Sequence, residues 1–211
     1  MLRRSSAQAT PLDAAVAAVV VMVAFQIIRL DQTTPGAWMT IDYVLRLLGL
    51  TLLFVIPTAN EIAFKREPLI AKPEVALGWV IAVVLLHIVA FSEISNLVDA
   101  SLGDTRLDRH SMPNGLLWWM DVTLGLALVA IHEEILFRRV ARAILNPLVG
   151  DGWLMIAISA LAFGLIHWPH GAGDVASATL FGAAAMLMYK RLGSLAPVVI
   201  AHYLIDAILA Q

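Results

Sequence analysis

Apolar residues are grouped along this chain in long stretches that polar and turn-forming residues separate. A helix needs about 20 predominantly apolar residues to cross a hydrocarbon core of about 30 Å. The pattern therefore predicts an all-α fold, a polytopic transmembrane helical bundle of about seven spans. We expect these spans near residues 12–30, 38–57, 75–95, 116–137 or beyond, 153–168, 175–189 and 195–210.

The composition supports an integral membrane protein. Hydrophobic residues make up 60% of the 211 residues and charged residues 14%, with a mean hydropathy of +0.83. Soluble domains carry about 25% charged residues. The net charge of −2 gives no sign of a nucleic-acid partner, and the absence of cysteine excludes disulfides, a thiolate metal site and a cysteine nucleophile.

Lysine and arginine are distributed unevenly among the predicted loops, and cytoplasmic loops of membrane proteins carry the excess. Basic residues precede span one and follow spans two, four and six, whereas the opposite loops hold few. We therefore expect a cytoplasmic N-terminus and a C-terminus on the outside. The residues behind this expectation are Arg3, Arg4, Lys65, Arg66, Lys72, Arg138, Arg139, Arg142, Lys190 and Arg191.

A small set of ionisable residues lies inside the predicted spans, where their cost makes a functional site the default hypothesis. Glu134 and Arg138 are four residues apart on one helix face, so they can form an ion pair. Glu133 is rotated by about 100° from Glu134 and must find its partner on another helix. The full set is His132, Glu133 and Glu134 in span four, His167 in span five, and His202 and Asp206 in span seven.

A carboxylate and two imidazoles from three helices can form a general-base site if they lie at one depth in the membrane. His167 lies about 21 Å along span five at 1.5 Å per residue. Glu133 reaches the same depth only if span four stays helical well past Arg139. The sequence therefore predicts one long helix from about 116 to 147.

Other polar residues of the spans have simpler interpretations. Asp42 and Arg46 are four residues apart near the outer end of span two, and we interpret them as a structural pair. His87 in span three can line a substrate groove, but packing against other helices is the simpler expectation. His132 has no histidine four residues later, so we expect it to be lining or interfacial rather than catalytic.

Three motifs on successive spans resemble those of a known family. Residues 132–139, HEEILFRR, contain EExxxR; residues 163–167, FGLIH, match FxxxH; and residues 202–206, HYLID, are a variant of HxxxN. Their order is similar to that of the CPBP (CAAX-protease and bacteriocin-processing, or Abi) intramembrane glutamic endopeptidases. The resemblance divides the chain into N-terminal transmembrane helices of about three spans, 1–115, and a four-helix catalytic core, 116–211.

The resemblance implies a metal-independent endopeptidase without a cofactor. In that family's scheme Glu133 activates water as general base, His167 helps to hold this water, and His202 with Asp206 stabilises the oxyanion. The resemblance also implies a membrane-anchored or exported protein or peptide as substrate, the lipid bilayer as surroundings, and a bacterial cell (inner) membrane as location. It implies a structural ion pair at the site, formed by Glu134 and Arg138.

Asp206 departs from the family pattern, which usually has asparagine at this position. An ionised aspartate cannot donate a hydrogen bond to an oxyanion and would repel it. Two roles therefore stay open for Asp206. It is either protonated in its apolar setting, or it orients His202 instead.

Two other interpretations of the site also stay open. Glu133, His167 and His202 supply the one carboxylate and two imidazoles of a catalytic zinc set, which would make a metal-dependent membrane hydrolase, although the sequence has no HExxH helix. Alternatively, the chain is a non-catalytic bacteriocin-immunity or membrane binding protein of the same fold, and the departure at Asp206 keeps this interpretation open.

Overall fold

The computed structural model of the protein describes residues 27–28, 34–107 and 113–210. Within these ranges every regular element is a helix. Two long helices, Pro73–Leu102 and Gly115–Val149, contain short π-helical turns and continue through them. The helices are α1 (Pro35–Val55), α2 (Pro57–Ala63), α3 (Pro73–Leu102), α4 (Gly115–Val149), α5 (Trp153–Leu165), α6 (Ala172–Leu192) and α7 (Ala196–Leu209), with a 3₁₀ turn at Trp168–His170.

Proline and glycine set the ends of these helices. Pro35 and Pro73 stand at the first helical positions of α1 and α3, where a missing N–H costs nothing. Gly103 and Gly150 follow α3 and α4 with φ angles of 80° and 75°, a region that favours glycine. Gly193 ends α6 in the left-handed conformation, and a Cβ there would lie 2.2 Å from the Ile70 side chain.

The helices confirm the predicted membrane bundle. Four of them, α1, α3, α4 and α6, are long and apolar enough to cross a membrane, and α5 and α7 are shorter apolar helices. The prediction of one long helix over 116–147 is confirmed by α4. The predicted first span, 12–30, lies outside the described residues except for Ile27 and Ile28.

Helix α3 has one exposed face and one face that is buried in the bundle. The exposed face carries large aliphatic side chains, as a lipid-facing surface does. The adjoining face is buried and carries smaller ones. The exposed residues are Leu77, Ile81 and Leu85, and the buried ones are Ala76, Val80 and Val83.

Small residues bring α5 and α6 into close contact, as expected for helices packed in a membrane. A Cβ on Gly182 of α6 would lie 3.1 Å from the Cα of Ala160 of α5. A Cβ on Gly164 of α5 would lie 1.9 Å from Oγ1 of Thr179. This close approach holds Phe163 on α5 and the end of that helix firmly against α6.

A π-helical turn at Ile135–Val140 interrupts the α-helical hydrogen bonding of α4 directly after the two glutamates. Such turns leave backbone groups in need of other partners and are frequent at functional sites. The hydroxyl of Ser159 on α5 donates a hydrogen bond of 2.8 Å to the carbonyl oxygen of Phe137 within this turn. Both residues are buried, so the contact also ties α5 to α4.

The two ends of the bundle differ in charge. At the basic end, the Arg139 guanidinium bonds the carbonyl of Ala63 and the carboxylate of Glu67, and Asp151 pairs with Arg142 and Lys190. At the acidic end, hydrogen bonds join the loop after α3 to the turn before α6 and to the start of α6. The basic end carries Lys65, Arg66, Lys72, Arg139, Arg142, Lys190 and Arg191, and the acidic end carries Asp99, Asp104, Arg106 and Asp174.

We predict that the basic end faces the cytoplasm, because basic residues are retained there. A membrane-impermeant maleimide should label an Asp104→Cys variant on intact cells and a Lys65→Cys variant only after permeabilisation; both positions are exposed. The wild-type chain, which has no cysteine, is the control for background labelling. The reverse pattern of labelling would contradict the predicted orientation.

Candidate active site

Glu134 is the centre of a fully buried ion-pair network. Its carboxylate accepts two hydrogen bonds from the guanidinium of Arg138, at 2.7 and 3.2 Å, and neither side chain has any exposed surface. The imidazole of His202 on α7 donates a third, from Nδ1 to Oε1 at 2.9 Å. The Arg138 guanidinium also lies over the ring of Phe163, 4.9 Å from its centroid. Glu134 thus joins α4 to α7.

His202 has one nitrogen fixed and one directed at two further carboxylates. The carboxylate of Glu134 can only accept a hydrogen bond, so Nδ1 of His202 carries a proton. The other nitrogen, Nε2, lies 3.4 Å from Oδ2 of Asp206 and 4.0 Å from Oε2 of Glu133. Three acidic side chains therefore surround one imidazole.

The Glu133 carboxylate has one engaged and one unengaged oxygen. Oε1 accepts a hydrogen bond of 2.8 Å from Nη1 of Arg46 on α1. Oε2 is buried and has no hydrogen-bond partner among the residues that the structure describes. Buried carboxylate oxygens are normally satisfied, so this atom is the place where a water or a reacting group would bind.

The sequence indicated that Glu133 needs a partner on another helix, but it did not identify Arg46. The interpretation of Asp42 and Arg46 as a separate structural pair was incomplete. They do form an ion pair of 2.9 Å, and both are buried, but Arg46 also binds Glu133. Ionisable residues inside a membrane bundle usually pair with one another, and a guanidinium can bind two carboxylates at once. This capacity was the signal that could have linked Arg46 to Glu133.

His167 lies just beyond α5, because the helix ends at Leu165 rather than at the predicted residue 168. Its Nδ1 is 2.9 Å from the carbonyl oxygen of Phe163. A carbonyl can only accept, so Nδ1 carries the proton, and Nε2 of a neutral ring is left as an acceptor. The tautomer of His167 is thus set by the backbone of the FxxxH motif.

A cavity of about 150 Å³ adjoins these groups towards the acidic end of the bundle. It combines aromatic and aliphatic walls with a few polar side chains, as small ligand sites do. His167, His202 and Asp206 line it together, so residues of two motifs meet there. Its lining is His87, Phe163, His167, Asp174, Ser177, Ala178, Phe181, His202, Ile205, Asp206 and Leu209.

His87 joins this cavity from α3, at the start of the π-helical turn His87–Phe91. Its ring packs edge-on against Phe91 and Phe181, so the expectation of packing was correct. It also lines the cavity, and its Nδ1 has no hydrogen-bond partner within the described part of the chain. Asp174 and Ser177 also line the cavity, and sequence reasoning missed both as site residues because no motif includes them.

His132 is not interfacial, because only 2% of its surface is exposed. Its Nδ1 lies 3.5 Å from Nη1 of Arg46, and its Nε2 faces Gly49 of α1. A Cβ at Gly49 would lie 2.7 Å from that nitrogen. His132 therefore lines the contact between α1 and α4 beside the Arg46–Glu133 pair.

The described residues contain no group of three or more histidine, aspartate or glutamate side chains with the spacing of a metal site. Within the zinc set considered above, Oε1 of Glu133 is engaged by Arg46 and Nδ1 of His202 by Glu134. The side chains are thus arranged as mutually paired charges and hydrogen bonds.

The fold and the site together define an integral membrane protein in which the buried Glu133 and Glu134 lie beside a small cavity. His167, His202 and Asp206 line this cavity. Residues 115–208 match the family model described as type II CAAX prenyl endopeptidase Rce1-like. The match confirms, over this segment, the resemblance to the CAAX-protease family that the three motifs indicate. This similarity supports an intramembrane protease. Comparisons with curated proteins and with solved structures give no match.

We predict that an Arg138→Gln variant loses about 3–5 kcal/mol of unfolding free energy, because it leaves the buried Glu134 carboxylate without its cation. Thermal or denaturant unfolding in detergent micelles measures this loss. Arg142→Gln is the matched control on the same helix, since its ion pair with Asp151 is about one third exposed and should contribute less than about 1 kcal/mol. Equal losses in both variants would contradict the prediction.

Proposed function

We propose that this protein is an intramembrane endopeptidase in which Glu133 activates a water molecule. One observation carries the proposal: Oε2 of Glu133 is buried and unpaired, 4.0 Å from an imidazole that lines a cavity. The other carboxylate of the motif, Glu134, has both oxygens engaged by Arg138 and His202. Of the two adjacent glutamates, Glu133 is the one with a buried carboxylate oxygen that has no hydrogen-bond partner among the described residues.

In the proposed reaction Oε2 of Glu133 removes a proton from water, and the water oxygen attacks the carbonyl carbon of the scissile peptide bond. The carbonyl π electrons move to its oxygen and form a tetrahedral oxyanion. When this intermediate collapses, the C–N bond breaks and Glu133 returns its proton to the leaving nitrogen. The sum is peptide plus water giving a carboxylic acid and an amine.

His167 and His202 have different tasks in this scheme. The Phe163 carbonyl fixes the proton of His167 on Nδ1, so its Nε2 accepts a hydrogen bond from the attacking water. His202 is held by Glu134 through Nδ1 and, when doubly protonated, donates from Nε2 to the oxyanion. Asp206, 3.4 Å from the same Nε2, orients that donor.

The substrate class follows from where the site lies. The side chains of the site belong to helices of a membrane bundle, so we propose a membrane-anchored or exported protein or peptide as substrate. The family model that residues 115–208 match is named for prenyl endopeptidases, which makes a prenylated peptide the first substrate to test. We propose a bacterial cell membrane as the location, with the basic end towards the cytoplasm.

We predict that Glu133→Gln lowers kcat by at least about 10²-fold, the usual contribution of a general base. The assay follows cleavage of an internally quenched, prenylated CAAX peptide by the purified protein in liposomes, with an unprenylated peptide beside it. Glu61→Gln, an exposed glutamate at the basic end, is the matched control. Cleavage by Glu133→Gln at the wild-type rate would refute the mechanism.

Chelator treatment in this assay, elemental analysis and a bacteriocin-protection assay separate the proposal from its alternatives. A metal-dependent hydrolase would lose activity with a chelator and contain stoichiometric zinc by elemental analysis. An immunity or binding protein would protect cells from a bacteriocin equally well as wild type and as Glu133→Gln. Under the proposal, chelator-treated protein still cleaves, and any protection is lost with Glu133.

We predict that Asp206→Asn keeps kcat within about tenfold of wild type, whereas Asp206→Ala lowers kcat by about 10²-fold. The amide of asparagine still accepts a hydrogen bond from Nε2 of His202, so it orients the ring as the carboxylate does. Alanine removes that contact. Equal losses in both variants would show that the negative charge of Asp206, rather than its orienting contact, is required.

A further inference from the structure

The inference concerns Arg46, which lies on α1, outside the segment that matches the family. We infer that Arg46, held in place by Asp42, is a positioning residue that fixes the carboxylate of Glu133 for catalysis. The inference rests on the proposed function of Glu133 as general base and deepens it. It makes α1 a part of the active site that the three motifs do not include.

Arg46 binds two carboxylates at once, and we refer to Arg46 together with Asp42 as the clamp on Glu133. Nε of Arg46 donates to both carboxylate oxygens of Asp42, at 2.9 and 3.0 Å, one helical turn earlier on the same helix. Its Nη1 donates to Oε1 of Glu133 at 2.8 Å, across the interface between α1 and α4. Asp42 therefore fixes the guanidinium from one side, and the guanidinium fixes Glu133 from the other.

The clamp decides which oxygen of Glu133 is available. With Oε1 engaged by Arg46, the carboxylate cannot rotate freely, and Oε2 stays on the side of His202, 4.0 Å from Nε2. A misplacement of about 1 Å at a reacting group costs about 10²-fold in rate. The positive charge of Arg46 also offsets the negative charge of a glutamate that is only 3% exposed.

The packing of α1 against α4 is built for this contact. Gly49 lies three residues after Arg46, on the same side of α1, and its missing side chain admits the ring of His132. Any larger residue at Gly49 would displace either that ring or α1. His132, which precedes Glu133 on α4, is thus packed against Gly49, which lies one turn beyond Arg46 on α1. This contact fixes the relative position of α1 and α4 at the level of the Arg46–Glu133 ion pair.

Lysine should replace arginine only in part. The planar guanidinium presents separate N–H groups to Asp42 and to Glu133 at the same time, whereas an ammonium group is a single point charge on a flexible stem. Arg46→Lys keeps the charge but loosens the geometry. Arg46→Gln keeps much of the length and polarity but removes the charge and the fork.

The test compares steady-state cleavage of the prenylated peptide in liposomes by wild type, Arg46→Lys, Arg46→Gln and Asp42→Asn. We expect kcat to fall about 10²-fold in Arg46→Gln and about tenfold in Arg46→Lys and Asp42→Asn, with KM within about twofold in all three. A purely structural role would lower the amount of folded protein but would leave kcat per folded molecule unchanged. The inference is overturned if Arg46→Gln keeps the wild-type kcat.

Tyr43→Phe is the matched control for damage to the helix interface. Its hydroxyl donates a hydrogen bond of 2.7 Å to Asp121, so it also joins α1 to α4, but it does not contact Glu133. We expect its kcat to be unchanged. A loss in Tyr43→Phe as large as that in Arg46→Gln would assign the effect to the interface in general and overturn the positioning role.

A cycle of unfolding measurements covers the case in which Arg46→Gln folds poorly. Thermal unfolding of wild type, Arg46→Gln, Glu133→Gln and the double variant in detergent should give non-additive shifts, because Arg46→Gln leaves the buried Glu133 carboxylate without its cation and the double variant removes that unpaired charge. Additive shifts would overturn the coupling. If Glu133→Gln itself cleaves at the wild-type rate, the proposed function fails; if cleavage requires Glu133 but not Arg46, only this inference fails.

Discussion

The structure depends on one constraint: ionised side chains inside an apolar bundle must be paired with one another, since lipid offers no other partner. Two arginines meet this need at the site. Arg138 pairs with Glu134 within α4, and Arg46, which also binds Asp42, pairs with Glu133 from α1. Once these pairs are made, the buried Oε2 of Glu133 is left without a hydrogen-bond partner among the residues that the structure describes, and it lies beside the imidazole of His202.

The same pairs hold the helices together. Glu134 reaches His202 on α7, Glu133 reaches α1, and Ser159 of α5 bonds the π-helical turn that follows the two glutamates. The hydrophobic effect cannot drive helices together inside lipid, so the association of these helices depends on close packing at small residues and on polar contacts. The Glu133 and His202 side chains proposed for catalysis thus also fix the arrangement of α1, α4 and α7.

Much of the site could be predicted because the informative relations are local in sequence. The four-residue spacing of Glu134 and Arg138 predicts their ion pair, and the requirement that Glu133 share a depth with His167 predicts a helix as long as α4. The contact of Arg46 with Glu133 joins residues 87 positions apart. No sequence periodicity predicts a contact over such a distance along the chain. From the sequence, Arg46 was therefore interpreted only as the local ion-pair partner of Asp42.

The sequence by itself determined the helices, through the length of the apolar stretches, and their ends, through proline and glycine. It also determined the pairs within one helix, because an α-helix places residues four apart on one face. Only the tertiary structure decided which helix supplies the cation for Glu133 and that His87 joins His167 and Asp206 around one cavity. These contacts depend on how close the helices pack, which positions such as Gly49 and Gly182 set.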